Sequence, residues 1–142
     1  METTEQRRAR ETWQRLIAGF GAPSEWKKPE TGASDYLSAL KSTPARIHSC
    51  GLGQAIAFLK SRKDDPSKKA ASAARNVSEL VLSMLGLADS DLIARIRQSN
   101  ATFLFLATDE AIRVIGWLSR YLEGEGVTTK QEGKQQPEEA RT

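Results

Sequence analysis

The chain holds 142 residues, 39% of them hydrophobic and 27% charged, which is the size and mixture of one domain with a modest core. Aromatics make up only 6% and runs of Val, Ile and Thr are scarce, so the composition turns toward helix and away from a sandwich or barrel. The net charge of +3 hides an asymmetry: residues 1–123 carry +4, and the stretch from Lys41 to Arg75 alone carries +6, a mild invitation to a polyanion.

The longest apolar run, Ala101 to Ala107, is far short of the roughly 20 residues that cross a bilayer. The opening Met-Glu-Thr-Thr-Glu-Gln-Arg-Arg has no secretory character. No membrane partner is expected, and the expected location is the cytoplasm. A single cysteine, Cys50, and a single histidine, His48, nearly empty the stock of nucleophiles, bases and metal ligands.

In chain order, Thr3 and Gln6 have the form of a capping box, and Ala9, Trp13, Leu16, Ile17 and Phe20 follow at helical spacing. The stretch from Ala22 to Ser34 reads as a surface loop, with Trp26 folding back to cover the core or, beside Lys27 and Lys28, free for a partner. A short helix is expected from Ser34 or Asp35 to Lys41. Thr43 as cap and Pro44 at the first helical position then open a longer helix running to about Lys63. Within it Gly53 and Ala57 face away from the apolar arc, where another helix or another subunit could approach closely.

Asp64-Asp65-Pro66 marks a break. Ser67 opens a helix with Ala70, Ala73, Ala74, Val77, Leu80, Val81 and Met84 as its buried stripe, ended by Gly86. Asp89 or Ser90 caps a short helix bearing Leu92, Ile93 and Ile96. The segment from Thr102 to Leu106 is taken as helical because no strand exists to pair with it. Thr108 is expected to cap a last helix, with Ala111, Ile115, Leu118 and Leu122 buried and Trp117 largely so. The whole is an all-α, compact single-domain bundle of about five to six helices. Residues 124–142, with Val127 as the one large apolar side chain, cannot offset their ordering entropy and are expected to form a disordered tail.

Catalytic chemistry is hard to find. Gly51-Leu52-Gly53-Gln54 lacks the third glycine of a dinucleotide loop and sits in a helical pattern. His48 and Cys50 supply two of the four ligands a structural zinc needs, so they read as a partly buried histidine and a small packing residue. No catalytic residue, metal site or cofactor is expected, and an enzyme is improbable on these grounds. What remains is charge. Lys60, Arg62, Lys63, Lys68 and Lys69 crowd one turn between helices, with Arg46 and Arg75 on the outer faces to either side. These seven are the candidate polyanion-binding residues, RNA-binding if the resemblance that follows holds, a solvated surface being the plain alternative. Gly53, Ala57 and Trp26 are the candidate subunit contacts.

Several segments together carry a resemblance. Gln6-Arg7-Arg8-Ala9, Tyr36, Pro44, the run Gly51-Leu52-Gly53-Gln54-Ala55-Ile56-Ala57-Phe58-Leu59, Thr108-Asp109-Glu110-Ala111 and Ile115-Gly116-Trp117-Leu118-Ser119-Arg120-Tyr121 resemble the small subunit of the type III-B CRISPR effector, the Cmr complex. Cys50, the loop around Trp26 and the tail depart from its pattern. The resemblance implies a non-catalytic helical protein whose partners are the Cmr backbone and large subunits, crRNA and target RNA, and further copies of itself stacked head to tail. The alternatives are the small subunit of a type III-A effector and a helical adaptor that binds only proteins.

Overall fold

The computed structural model describes residues 1–62 and 67–129, and among these it contains six α-helices and no strand. Helix α1 (Thr4–Phe20) opens on the capping box: Thr3 Oγ1 accepts the Gln6 amide at 3.1 Å, and Gln6 Oε1 accepts the Thr3 amide at 2.8 Å. Two amides that the helix itself leaves without acceptors are thereby satisfied.

The loop that follows contains two short 3₁₀ turns, Pro23–Glu25 and Pro29–Thr31, each begun by its proline. Between them Trp26 is 1% exposed. Its indole N–H donates to the Gly21 carbonyl at 3.0 Å, and its ring packs on Trp13 with centroids 5.2 Å apart. Of the two sequence readings of Trp26 the covering one holds, and as a subunit contact this residue is corrected: a buried ring has no face to offer a partner.

The expected break at Thr43-Pro44 does not occur. Helix α2 runs unbroken over Ala33–Cys50 with Pro44 inside it. Thr43, instead of capping a new helix, is buried and donates its hydroxyl to the Ala39 carbonyl at 2.7 Å. The chain breaks eight residues later, at Gly51, with φ +89° and ψ 161°, a conformation essentially reserved for glycine. Helix α3 (Leu52–Ser61) then turns back along α2, so Gly51, read as a mid-helix residue, is the corner of a helical hairpin.

Helix α4 (Lys69–Met84) buries the alanine and leucine stripe expected of it. Helix α5 (Leu92–Gln98) is capped by Asp91, one or two residues beyond the expected caps, with its carboxylate accepting the Ala94 amide at 3.0 Å. Helix α6 (Ala101–Gly124) is a single 24-residue helix capped by Asn100. Thr108 is an internal residue of it and caps nothing. Apolar Phe103 to Ala107 and amphipathic Ala111 to Leu122 belong to one helix, since neither proline nor glycine separates them.

Side-chain ties fix the directions. Arg7 reaches the Ser83 carbonyl and Arg15 reaches Glu79, so α1 and α4 run antiparallel. Arg8 meets Glu110, and the Tyr121 hydroxyl donates to the Ala9 carbonyl at 3.0 Å, so α1 and α6 run parallel. Lys41 pairs with Glu123, which sets α2 against α6. Small residues line the meeting faces, Ala70, Ala73 and Ala74 on α4 and Ala107 and Ala111 on α6, all at most 1% exposed. Short side chains there allow close interaxial approach.

The C-terminal segment is corrected in part. Beyond α6, Val127 is 4% exposed and the Thr128 carbonyl accepts the Ser34 hydroxyl at 2.6 Å. Val127 and Thr128 therefore pack on the folded unit, Val127 lining one wall of a cavity together with Trp26 and Gly32. The rest of the expected tail lies outside the described residues.

Candidate nucleic-acid interface

The arginines of α1 are neutralised within the fold. Arg7 pairs with Glu11, Arg10 with Glu2 and Arg15 with Glu79. Arg8 forms a two-pronged pair with Glu110, Nε to Oε2 at 2.5 Å and Nη2 to Oε1 at 2.8 Å, both side chains 9% exposed. The hydrogen bonds to Glu110 hold the Arg8 guanidinium above its ordinary pKa, against the opposing pull of desolvation. Each of these cations already has a carboxylate partner within the fold.

The seven candidate residues fall into three groups. Lys60 near the end of α3, Lys68 at the start of α4 and Arg75 on its outer face are exposed and make no ion pair among the described residues. Lys68 adopts φ +59°, standing at the N-terminus of α4 outside the helical conformation. A second group is engaged by the fold. The Lys69 ammonium stands 5.3 Å from the Phe20 ring centroid with its methylenes against Gly32, and the Arg46 guanidinium lies over the Phe58 ring at 3.5 Å. The Arg46 Nε is shielded from solvent and finds no acceptor, so this residue spends part of its charge on the ring. Arg62 is half-buried and partnered. The third group is Lys63, which lies outside the described residues.

The subunit-contact candidates are rearranged as well. A Cβ on Gly53 would stand 3.7 Å from Ile96, so the helix that approaches this glycine is α5 of the same chain. Gly53 itself is half-buried, and Ala57 is exposed. His48 and Cys50, expected to be partly buried and packing, are both exposed at the end of α2. No cluster of three or more metal-ligating side chains exists among the described residues, and no helix there is long and apolar enough to cross a membrane.

One surface went unread in the sequence. A cavity of about 370 Å³ is lined by Glu5 and Arg8 of α1 and by Arg113, Gly116, Trp117 and Arg120 of α6. Trp117, expected in the core, is half-buried there, its ring 5.4 Å from that of Tyr121. The spacing i, i+3, i+4, i+7 of the four α6 residues is the signal that could have placed them on one face. The apolar neighbours Val114 and Leu118 drew the tryptophan inward in the sequence reading instead.

Fold and surface together define a small protein whose described residues are all helix and loop, with exposed Lys60, Lys68 and Arg75 and no metal cluster among them. The chain belongs to the Cmr5 family of CRISPR-associated proteins, whose family description, CRISPR-associated protein (Cas_Cmr5), matches residues 4–125. It is similar in fold to a CRISPR-associated Cmr5 family protein from Thermus thermophilus, with a TM-score of 0.61 and 22% identity over 89% of this chain and 99% of that one. No curated protein matches it. The resemblance carried by Gly51 to Leu59 and by Thr108 to Tyr121 is thereby borne out, the chain is of the Cmr small-subunit type, and the type III-A alternative is set aside.

Proposed function

We propose that this protein is a non-catalytic subunit of a crRNA-guided type III-B ribonucleoprotein, packed beside its backbone and large subunits, stacked with further copies and holding guide or target RNA by its phosphates. The observation that carries the RNA contact is the contrast in pairing. The α1 arginines each meet a carboxylate, whereas Lys60, Lys68 and Arg75 stand exposed without one among the described residues. Where a guide strand supplies sequence specificity by base pairing, a small subunit needs a cationic, sequence-blind surface and no base-reading code.

Replacing Lys60, Lys63, Lys68 and Arg75 together by alanine tests this. Lys69, Arg62 and Arg46 are left in place because they also touch the fold. The variant, alone or in an assembled particle, is expected to keep its helicity, bind RNA more weakly and similarly across unrelated sequences, and show a flatter salt dependence, by about 0.7 in slope for each single-strand phosphate lost. Parental affinity with the parental salt slope would leave these cations as a solvated face and favour the protein-only adaptor.

A further inference from the structure

The N-terminal turns of α6 are left partly uncovered by the rest of the bundle. Phe105 is 74% exposed, with Leu104 at 40% and Leu106 at 49% beside it. Such a continuous apolar tip marks a contact site in a way that scattered surface leucines do not. Gly116 follows about three turns further on, within about 20° of the same face as Phe105 and about 16 Å along the axis. No atom lies within 4 Å of where its Cβ would stand, and it lines the cavity of about 370 Å³ beside half-buried Trp117. Between tip and cavity, Asp109 and Arg113 form an ion pair at 3.0 Å, both side chains more than half exposed.

This face complements itself when read in opposite directions. Let a second α6 lie antiparallel on the first, with a two-fold axis passing at the level of Glu110 and Ala111. Phe105 then falls opposite Gly116 of the second copy, and Asp109 comes beside Arg113. Each of these contacts is made twice, as a two-fold interface requires. The apolar tip enters the cavity that the glycine opens, and the carboxylates and guanidiniums exchange partners without stranding a charge.

We propose that the unassembled protein forms a two-fold dimer through antiparallel pairing of its α6 faces, with Phe105 as the anchor in the Gly116–Trp117 cavity of a second copy. An aromatic side chain seated in a pocket at the centre of a patch is the usual carrier of interface energy. The pairing closes on itself and cannot propagate into a stack, so it is a form of the free protein and does not rest on the RNA reading.

Sedimentation velocity on the full chain, from micromolar to sub-millimolar concentration, tests the proposal. The parent is expected to shift from monomer to dimer, and Phe105→Asp, which is exposed and should keep the parent's circular dichroism, to raise the dissociation constant by about tenfold or more. Gly116→Leu, which fills the cavity, should do the same. The decisive arm is a charge swap. Asp109→Arg alone and Arg113→Asp alone each set like charges against one another and should be monomeric, while an equimolar mixture of the two should dimerise again. A parent that stays monomeric throughout, a dimer indifferent to Phe105→Asp, or a mixture that fails to pair would each overturn the proposal.

Discussion

Arg8 and Glu110 join the first helix to the last through a largely buried pair, with Arg8 at the edge of the cavity beside Gly116. Removing one partner strands the other's charge in the interior, so Glu110→Ala should cost about 3 to 5 kcal/mol in urea unfolding. Replacing both, as in Arg8→Met with Glu110→Leu, should recover most of that loss, since the pair's own net contribution is small. Tyr36 offers a pH-dependent test. Burial pushes its hydroxyl up to about 12, against the lowering effect of the hydrogen bond that Asn76 Nδ2 donates to it at 2.9 Å. The folded value lies above the unfolded value of about 10, so the contribution of the neutral phenol is complete below about pH 10 and is lost as pH rises toward 12. Stability should fall across that window by on the order of 2 kcal/mol more in the parent than in Tyr36→Phe. Equal slopes in the two proteins would show that the hydroxyl has no part in the alkaline transition.

Among the helices, the sharpest local decision is where α2 gives way to α3. Pro44 costs α2 one amide donor, and the helix nevertheless continues, held by buried Tyr36, Leu37, Leu40 and Ile47. Gly51 alone supplies the backbone angles of the corner. Gly51→Ala should therefore destabilise the protein by about 1 to 3 kcal/mol although nothing crowds the position, a purely conformational penalty that thermal unfolding would register. Helix α6 makes the complementary point. Its N-terminal turns extend apolar side chains into solvent while its C-terminal half is core, so one continuous helix both closes the bundle and presents a contact surface.

For the molecule as a whole, closure extends past the last helix. Val127 lines the cavity beside Trp26, and Trp26, Trp13, Tyr121 and Trp117 form a chain of ring contacts from that cavity to the one at Gly116. Ending the chain after Glu125 should lower the melting temperature by several degrees, because the lost burial of one valine amounts to about 1.5 kcal/mol or more. An unchanged melting temperature would restore the reading of everything from Gly124 on as dispensable. Trp117→Ala should cost less than a core tryptophan would, since its ring is partly in water.

Much of this protein was legible in its sequence because the signals are local. The Thr3–Gln6 capping box, the stripe from Ala70 to Met84 and the line from Ala111 to Leu122 each arise from residues within a turn or two of one another, and helical periodicity reads them directly. The cationic stretch and the family resemblance were equally present along the chain. What only the tertiary structure decided involves partners distant in sequence. Whether Pro44 or Gly51 breaks a helix depends on which side chains the rest of the bundle buries. Whether an arginine is available depends on a carboxylate on another helix, as Arg8 on Glu110 and Arg15 on Glu79 show. Val127 looks like surface from its neighbours alone, and Trp26 could be read either way; both are buried because segments far apart along the chain come together at the cavity they line.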